Sequence, residues 1–194
     1  MGFLSVLSMA HKWIAERTSP GDTVIDATAG TGVDTLALAE LVGPRGTVYA
    51  FDIQQEALDR TRARLSASSS SDALPAVHLM LENHAKMAES IGPSVAGNAA
   101  AVMFNLGYLP GGGDLSIITE PSSTIAALNA ALALLRPGGI VTCVLYPGHP
   151  GGAEEALAVE AWAASLPQML GQAVIYRQLQ RSTAPYLVAV EKRP

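Results

Sequence analysis

Asp26-Ala27-Thr28-Ala29-Gly30-Thr31-Gly32-Val33-Asp34 is the stretch on which the fold turns. It follows the β-rich run Thr23-Val24-Ile25-Asp26-Ala27 and leads into a segment of helical character, Asp34 to Val42. Glycines between a strand and a helix let the backbone approach a ligand, and the first N–H groups of the helix are free to bind one. Twenty residues beyond Gly32, Asp52 follows the next predicted strand, Thr47 to Phe51. An acid in that place can accept hydrogen bonds from both hydroxyls of a ribose.

The letters of the loop argue against a dinucleotide. A G-x-G-x-x-G fingerprint anchored on Gly30 and Gly32 needs a glycine at position 35, which is Thr35. Anchored the other way it needs glycines where Thr28 and Val33 stand. Asp26, four residues before Gly30, also suits a cationic ligand better than a pyrophosphate. S-adenosylmethionine carries an ammonium and a sulfonium and no phosphate, so it is the expected ligand of this strand–loop–helix unit.

Outward from the loop, apolar runs and turn signals alternate. Gln54 to Leu65 reads as a helix and Ser66 to Asp72 as a serine-rich surface loop. Pro75 to Leu81 and Ala99 to Phe104 read as the third and fourth strands, and Ser122 to Leu135 as a long helix. Arg136-Pro137-Gly138-Gly139 is expected to stop that helix before a fifth strand, Ile140 to Tyr146, and a helix from Ala153 to Leu166. Strand–helix alternation implies right-handed βαβ units and a mostly parallel sheet. The last two strands, Gln172 to Gln178 and Tyr186 to Glu191, are joined by too few residues for a parallel crossover. They are expected to pair antiparallel. The sum is a Rossmann-like α/β fold of the class I methyltransferase type. It has a seven-stranded, mostly parallel sheet with an antiparallel C-terminal strand and helices on both faces.

Composition is consistent with that reading. A chain of 194 residues fits one domain, 1–194, with residues 1–20 as an amphipathic N-terminal helix packed on it. Hydrophobic residues at 49% and charged residues at 15% exclude global disorder. Aromatics at 5% leave the core to Ala, Leu, Val and Ile. The single cysteine, Cys143, lies in an apolar run, reads as a buried small hydrophobe and fits a reducing cytoplasm. No apolar stretch reaches membrane-spanning length, the N-terminus does not read as a signal peptide, and no His/Cys/Asp/Glu spacing suggests a metal site. The net charge of −5 weighs against a surface dominated by phosphate contacts. Local basic candidates are Arg60, Arg62 and Arg64, and Arg177, Arg181, Lys192 and Arg193.

Ligands of open α/β sheets bind beyond the carboxyl ends of the strands, near the point where strand order reverses. The loop after the fourth strand, Asn105-Leu106-Gly107-Tyr108-Leu109-Pro110-Gly111-Gly112-Gly113-Asp114, belongs there. Asn105 can accept from an amine through its side-chain oxygen, as can the Leu106 carbonyl, and Tyr108 offers a flat face or a hydroxyl. It is similar to the Asn-Pro-Pro-Tyr loop of amino-group methyltransferases, with Leu106-Gly107 in place of the prolines. The loop after the fifth strand, Tyr146-Pro147-Gly148-His149-Pro150-Gly151-Gly152, makes His149 a candidate. His84 reads equally as an adenine neighbour or as a helix N-terminal residue, and His11 and His78 read as structural.

Six stretches together resemble a known family over almost the whole chain. They are 24–28, 30–35, 48–54, Phe104 to Gly112, Ser123-Thr124-Ile125 and Tyr146 to Gly152. They look like the small bacterial rRNA-methylase-like family of class I S-adenosylmethionine-dependent methyltransferases. Its members act as tRNA methyltransferases on 5-aminomethyl-2-thiouridine at the wobble position. The string Asn105 to Gly111 is specific to that family; the glycine loop is shared by many methyltransferases. Two departures are an extra glycine at 113 and Pro147 where a basic or polar residue is common.

The resemblance implies transfer of the cofactor's methyl group to a neutral primary amine, with tRNA, through its anticodon stem-loop, as the expected partner. The expected cofactor-binding residues are Asp26, Thr28, Gly30, Gly32, Asp34, Thr35, Asp52, Ile53, Gln54, His84, Asn105, Leu106 and Gly107. The expected catalytic residues are Asn105, Tyr108 and His149. No membrane partner is expected, and the chain is expected to be capable of forming a homodimer. A nucleotide-dependent oxidoreductase and a non-catalytic cofactor-binding module are the rivals from other classes. A methyltransferase acting on rRNA or on a small amine is the rival within the class.

Overall fold

The computed structural model describes residues 2–68, 74–107, 109, 111–112 and 119–194. The elements in chain order are α1 (Val6–Ala15), β1 (Thr23–Asp26), α2 (Val33–Val42), β2 (Thr47–Asp52), α3 (Gln55–Ala67), β3 (Ala76–Leu81), α4 (Met87–Ile91), β4 (Ala99–Asn105), α5 (Pro121–Leu134), β5 (Leu135–Leu145), α6 (Gly152–Ser165), β6 (Gly171–Tyr176) and β7 (Tyr186–Lys192). The seven strands form one sheet in the order β3-β2-β1-β4-β5-β7-β6. The first five are parallel; β7 runs antiparallel to both β5 and β6. Strand order reverses between β1 and β4, so a crevice opens past the ends of those two strands.

The continuous apolar run of β4 follows from its position. Ala99 to Phe104 are fully buried, because the strand has a parallel neighbour on each side and helices on both faces. Alternate residues serve opposite faces. Val102 and Phe104 join a core under α5 and α6 with Leu128, Leu134, Val159 and Trp162. Ala101 and Met103 join a second core under α1 and α2 with Ala10, Ile14, Leu38 and Val42. The N-terminal helix is therefore one wall of the second core. Among the described residues, no helix is long and apolar enough to cross a membrane.

Two local features differ from the pattern in the sequence. Arg136-Pro137-Gly138-Gly139 does end the helix, but it lies within β5, whose register against β4 jumps from Ala99↔Leu135 to Ala101↔Ile140. The strand takes up the extra residues as an irregularity where Gly138 has φ +76°. Between β3 and β4 the chain also forms α4 and two single 3-10 turns, His84–Lys86 and Pro93–Val95. These segments are too short to show helical periodicity.

Candidate functional site

The glycine loop is built by its own polar groups. Beyond β1, the Thr28 N–H donates to Asp26 Oδ1 at 3.0 Å, which turns the chain sharply. From the first turn of α2, Thr35 Oγ1 donates to Asp26 Oδ2 at 2.6 Å. The loop is stitched to the sheet by Ala27 N–H to the Met103 carbonyl and Ala29 N–H to the Phe51 carbonyl, both at 2.8 Å. Gly30 and Gly32 take φ of +53° and +78°, which glycine adopts without strain. Their environments differ. A side chain on Gly30 would meet nothing closer than 3.7 Å, whereas one on Gly32 would sit 2.7 Å from the Thr61 Cα of α3. Gly30 keeps a ligand space open; Gly32 lets two helices approach.

Beside this loop lies a cleft of about 290 Å³, toward the small end of small-molecule sites. Of the residues expected to bind cofactor, Thr28, Gly30, Asp52, Ile53, Gln54, His84, Asn105 and Gly107 line it. Asp26, Gly32, Asp34, Thr35 and Leu106 stand behind its wall, where they hold the lining in place. Phe51, Glu82, Asn83, Leu109, Thr119 and Ser123 also line the cleft, though none was among the residues expected to bind cofactor. Among the described residues no Lys or Arg lines it, whereas Asp52, Glu82 and Glu120 do.

Asp52 ends β2 with both oxygens engaged: Oδ2 accepts from Gly30 N–H at 3.0 Å and Oδ1 from Gln54 N–H at 2.9 Å. Each carboxylate oxygen can accept more than one bond, so acceptor capacity remains for a ribose. Burial pushes its pKa up; the backbone N–H groups and His84 oppose that rise. His84 begins the 3-10 turn that Asn83 caps, and its Nδ1 lies 3.1 Å from the Ala27 carbonyl. That carbonyl can only accept, so Nδ1 carries the proton. Burial pulls the His84 pKa down and favours the neutral ring, which packs edge-on against Phe104. His84 thus begins a helical turn and also lines the cleft. Asp26, wholly buried, has its pKa pushed up to about 7 by burial and then by the nearby charge of Asp34.

The end of β4 joins the cleft to a polar chain. Asn105 N–H donates to Thr28 Oγ1 at 2.8 Å. Its side-chain Nδ2 donates to Asp34 Oδ2 at 3.0 Å, and its Oδ1 accepts from the Tyr146 hydroxyl at 2.8 Å. A carboxylate on one side and a hydroxyl on the other fix which way the amide faces. Asp34 is held in turn by His11 Nε2, at 2.7 Å from Oδ1. Burial, then the charge of Asp34, raises the Tyr146 pKa against the opposing Asn105 bond, so the phenol stays protonated. His149 lies outside the cleft lining, stacked on Tyr146 with ring centroids 5.3 Å apart and beside Gly107. Tyr108 lies outside the described residues.

A second buried acid holds the loop after β4. Glu155, 4% exposed in the first turn of α6, accepts from Thr124 Oγ1 at 2.6 Å and Thr119 Oγ1 at 2.7 Å. Thr119 Oγ1 itself accepts from Gly107 N–H at 3.1 Å. On the other side, Arg60 Nη2 donates to the Gly111 carbonyl at 2.6 Å, and Arg64 Nε to the Thr31 carbonyl at 2.7 Å. These arginines clasp loops around the cleft. No group of three or more potential metal ligands occurs among the described residues.

Comparison with known proteins gives a consistent answer. The family model described as "Putative rRNA methylase" matches residues 48–191. A chloroplastic tRNA (mnm(5)s(2)U34)-methyltransferase of Arabidopsis thaliana is 43% identical over 190 residues, spanning 95% of this chain and 68% of that protein. The crystal structure of a putative rRNA methylase from Clostridium thermocellum superposes with a TM-score of 0.91 at 38% identity, covering 99% of this chain and 100% of that one. A Streptococcus mutans putative methyltransferase in complex with SAH superposes at 0.84 with 30% identity, over 98% and 99% of the two chains.

Proposed function

The chain belongs to the rRNA methylase family and is an S-adenosylmethionine-dependent methyltransferase; from that premise we propose that it methylates the primary amine of 5-aminomethyl-2-thiouridine at the wobble position of tRNA. One observation carries the choice of an amine. The lip of the cleft at the end of β4 presents Asn105, its amide locked by Asp34 and Tyr146, in a lining with three acids and no Lys or Arg among the described residues. Such a lip takes up an N–H donor and repels a phosphate. The printed name of the plant relative supports tRNA as the carrier of that amine.

The residues present fit the cofactor. Asp52 keeps acceptor capacity for the ribose, Gly30 leaves space beside the loop, and the acidic lining suits a cation. Thr28, Ile53, Gln54 and His84 complete the pocket. When bound, the cofactor supplies an electrophilic methyl group. The protein's own part is positional. Asn105 Oδ1 has given one lone pair to Tyr146 and keeps the other for an N–H of the incoming amine. Held so, the nitrogen presents its lone pair in one direction, and orientation supplies much of the rate. Asp34, one side chain behind, places negative charge near the positive charge that grows on nitrogen. His149 is stacked on Tyr146 outside the cleft lining, so its part is to steady the ring whose hydroxyl holds Asn105. The base itself must leave the anticodon stack to enter so narrow a cleft.

The test is methyl transfer from labelled cofactor to tRNA lacking this modification, run beside ribosomal RNA from the same cells. Label in the tRNA wobble nucleoside is the expected result. Label in ribosomal RNA alone overturns the substrate.

A further inference from the structure

The chain is acidic overall, and carboxylates line its cleft, so a polyanion cannot be held there. An RNA substrate must therefore meet cations elsewhere on the edge of the sheet where the cleft opens. The chain has twelve Lys and Arg. Among the described residues all but Arg45 and Arg181 engage a carboxylate, a carbonyl or a side-chain amide. Arg136, for instance, grips Asp22, Lys192 donates to the Leu132 and Leu135 carbonyls, and Arg64 clasps the glycine loop. Arg45 lies in the turn before β2, at the opposite edge of the sheet. Arg181 lies in the β6–β7 connection, residues 177–185. Because β7 runs antiparallel to β5, that connection stands at the edge where β1, β4 and β5 end.

The connection is also tied to the reaction side of the cleft. A side chain on Gly148 would sit 3.1 Å from the Thr183 carbonyl, so the β6–β7 connection packs directly on the loop that carries His149. From there contacts run through the Tyr146 ring to Asn105. Residues 171–190 contain no Asp or Glu. Arg177, at the start of the connection, lies over the Tyr186 ring at 5.6 Å and reaches Glu160 at 3.6 Å. Leu179, between the two arginines, is 86% exposed and offers an apolar contact to an unstacked base.

We propose that the β6–β7 connection is the docking surface for the RNA strand that flanks the methylated nucleotide, with Arg181 as its phosphate contact. This rests on the reading of an RNA substrate given above. The division of charge explains how an acidic protein handles RNA: the base with its amine enters the acidic cleft, and the backbone stays outside on the hairpin. Phosphate contacts of this kind position a substrate without reading its sequence.

The experiment uses the full chain with tRNA lacking the modification, varying tRNA and salt. Arg181→Ala should raise the KM for tRNA at least fivefold, and Arg181→Glu further. In both, kcat should stay within twofold and cofactor affinity, which reports a folded cleft, should be unchanged. The slope of log kcat/KM against log salt should become shallower by about 0.7–0.9, the change expected when a single arginine–phosphate ion pair is removed. Arg45→Ala, at the opposite edge, should match wild type. An unchanged KM and salt slope in folded Arg181→Ala and Arg181→Glu, with wild type active on tRNA, overturns the docking surface alone. A wild type that leaves tRNA unmethylated but methylates another acceptor overturns the substrate reading and this inference with it.

Discussion

Asn105→Ala tests the proposed chemistry most directly. The side chain makes two hydrogen bonds, to the Asp34 carboxylate at 3.0 Å and from the Tyr146 hydroxyl at 2.8 Å. A bond to a charged group contributes about 1.5–3 kcal/mol and a neutral one about 1 kcal/mol, so the variant should lose about 2–4 kcal/mol of stability. Domains have about 5–15 kcal/mol in hand, so it should stay folded at room temperature. Cofactor affinity should change less than about threefold, because Asp52, Ile53, Gln54 and His84 are untouched. Loss of the acceptor that orients the amine should lower methyl transfer at least tenfold, since about 1.4 kcal/mol of transition-state stabilisation already does so. The assay is single-turnover transfer at saturating cofactor and tRNA, where product release cannot mask chemistry. A cycle with Tyr146→Phe sharpens it. If the hydroxyl acts through Asn105, Tyr146→Phe lowers the rate alone but adds nothing in the Asn105→Ala background. A wild-type single-turnover rate in Asn105→Ala, or additive losses in the cycle, would refute the orienting role.

The other predictions concern the cofactor end and the loop. Asp52→Ala should weaken cofactor binding by about 1.5–3 kcal/mol, roughly tenfold to a hundredfold, and calorimetry on the folded variant checks it. The two loop glycines should part company. Gly30→Val should abolish cofactor binding while costing stability only through backbone strain at φ +53°, whereas Gly32→Ala should lower thermal stability by about 2 kcal/mol or more with cofactor binding retained in the folded fraction, because its new carbon also meets the Thr61 backbone at 2.7 Å at φ +78°. Melting curves and binding isotherms of the two variants would have to be interchangeable to defeat that division. Asp26 should show in the pH dependence of the cofactor-free protein. Its folded pKa of about 7 lies above the ordinary 3.8, so the stability it contributes is full below about pH 4 and is lost as pH rises through 7. Denaturant titrations from pH 4.5 to 7.5 should show wild type losing stability relative to Asp26→Asn over that window; a constant difference would dismiss the effect.

The legible part of the molecule is the part whose partners are close in sequence or periodic. β1, the glycine loop and α2 are contiguous, and Asp52, Ile53 and Gln54 follow at the end of the next strand, so one stretch and one spacing pointed to Thr28, Gly30, Asp52, Ile53 and Gln54 of the cleft lining. The antiparallel end was legible because the β6–β7 connection is too short to cross the sheet. The supports of the site were not. His11 meets Asp34 from 23 residues away, and Glu155 meets Thr124 and Thr119 from 31 and 36 residues away. Periodicity marks apolar faces and is blind to such pairs: His11 reads as one more polar residue of an amphipathic helix, and Glu155 as an ordinary acid in a first helical turn. Gly32 shows a different limit. A glycine that spares a ligand and one that spares a neighbouring helix are the same letter, and the Thr61 backbone behind Gly32 is what tells them apart.

The same geometry explains why this Rossmann-like crevice takes a cation where dinucleotide-binding relatives of the fold take a pyrophosphate. The field at a helix N-terminus favours negative charge and is ordinarily offered to phosphate. Here the first turn of α2 already holds Asp34, 6% exposed, and its Thr35 hydroxyl is committed to Asp26. A phosphate at that end would meet Asp52 in the lining with Asp26 and Asp34 buried just behind it, and would find no Lys or Arg in the described lining. A sulfonium with an α-ammonium meets the opposite situation. Its charge lowers the cost of ionising buried Asp26, so binding should draw the Asp26 pKa down from about 7 and release a proton near neutrality.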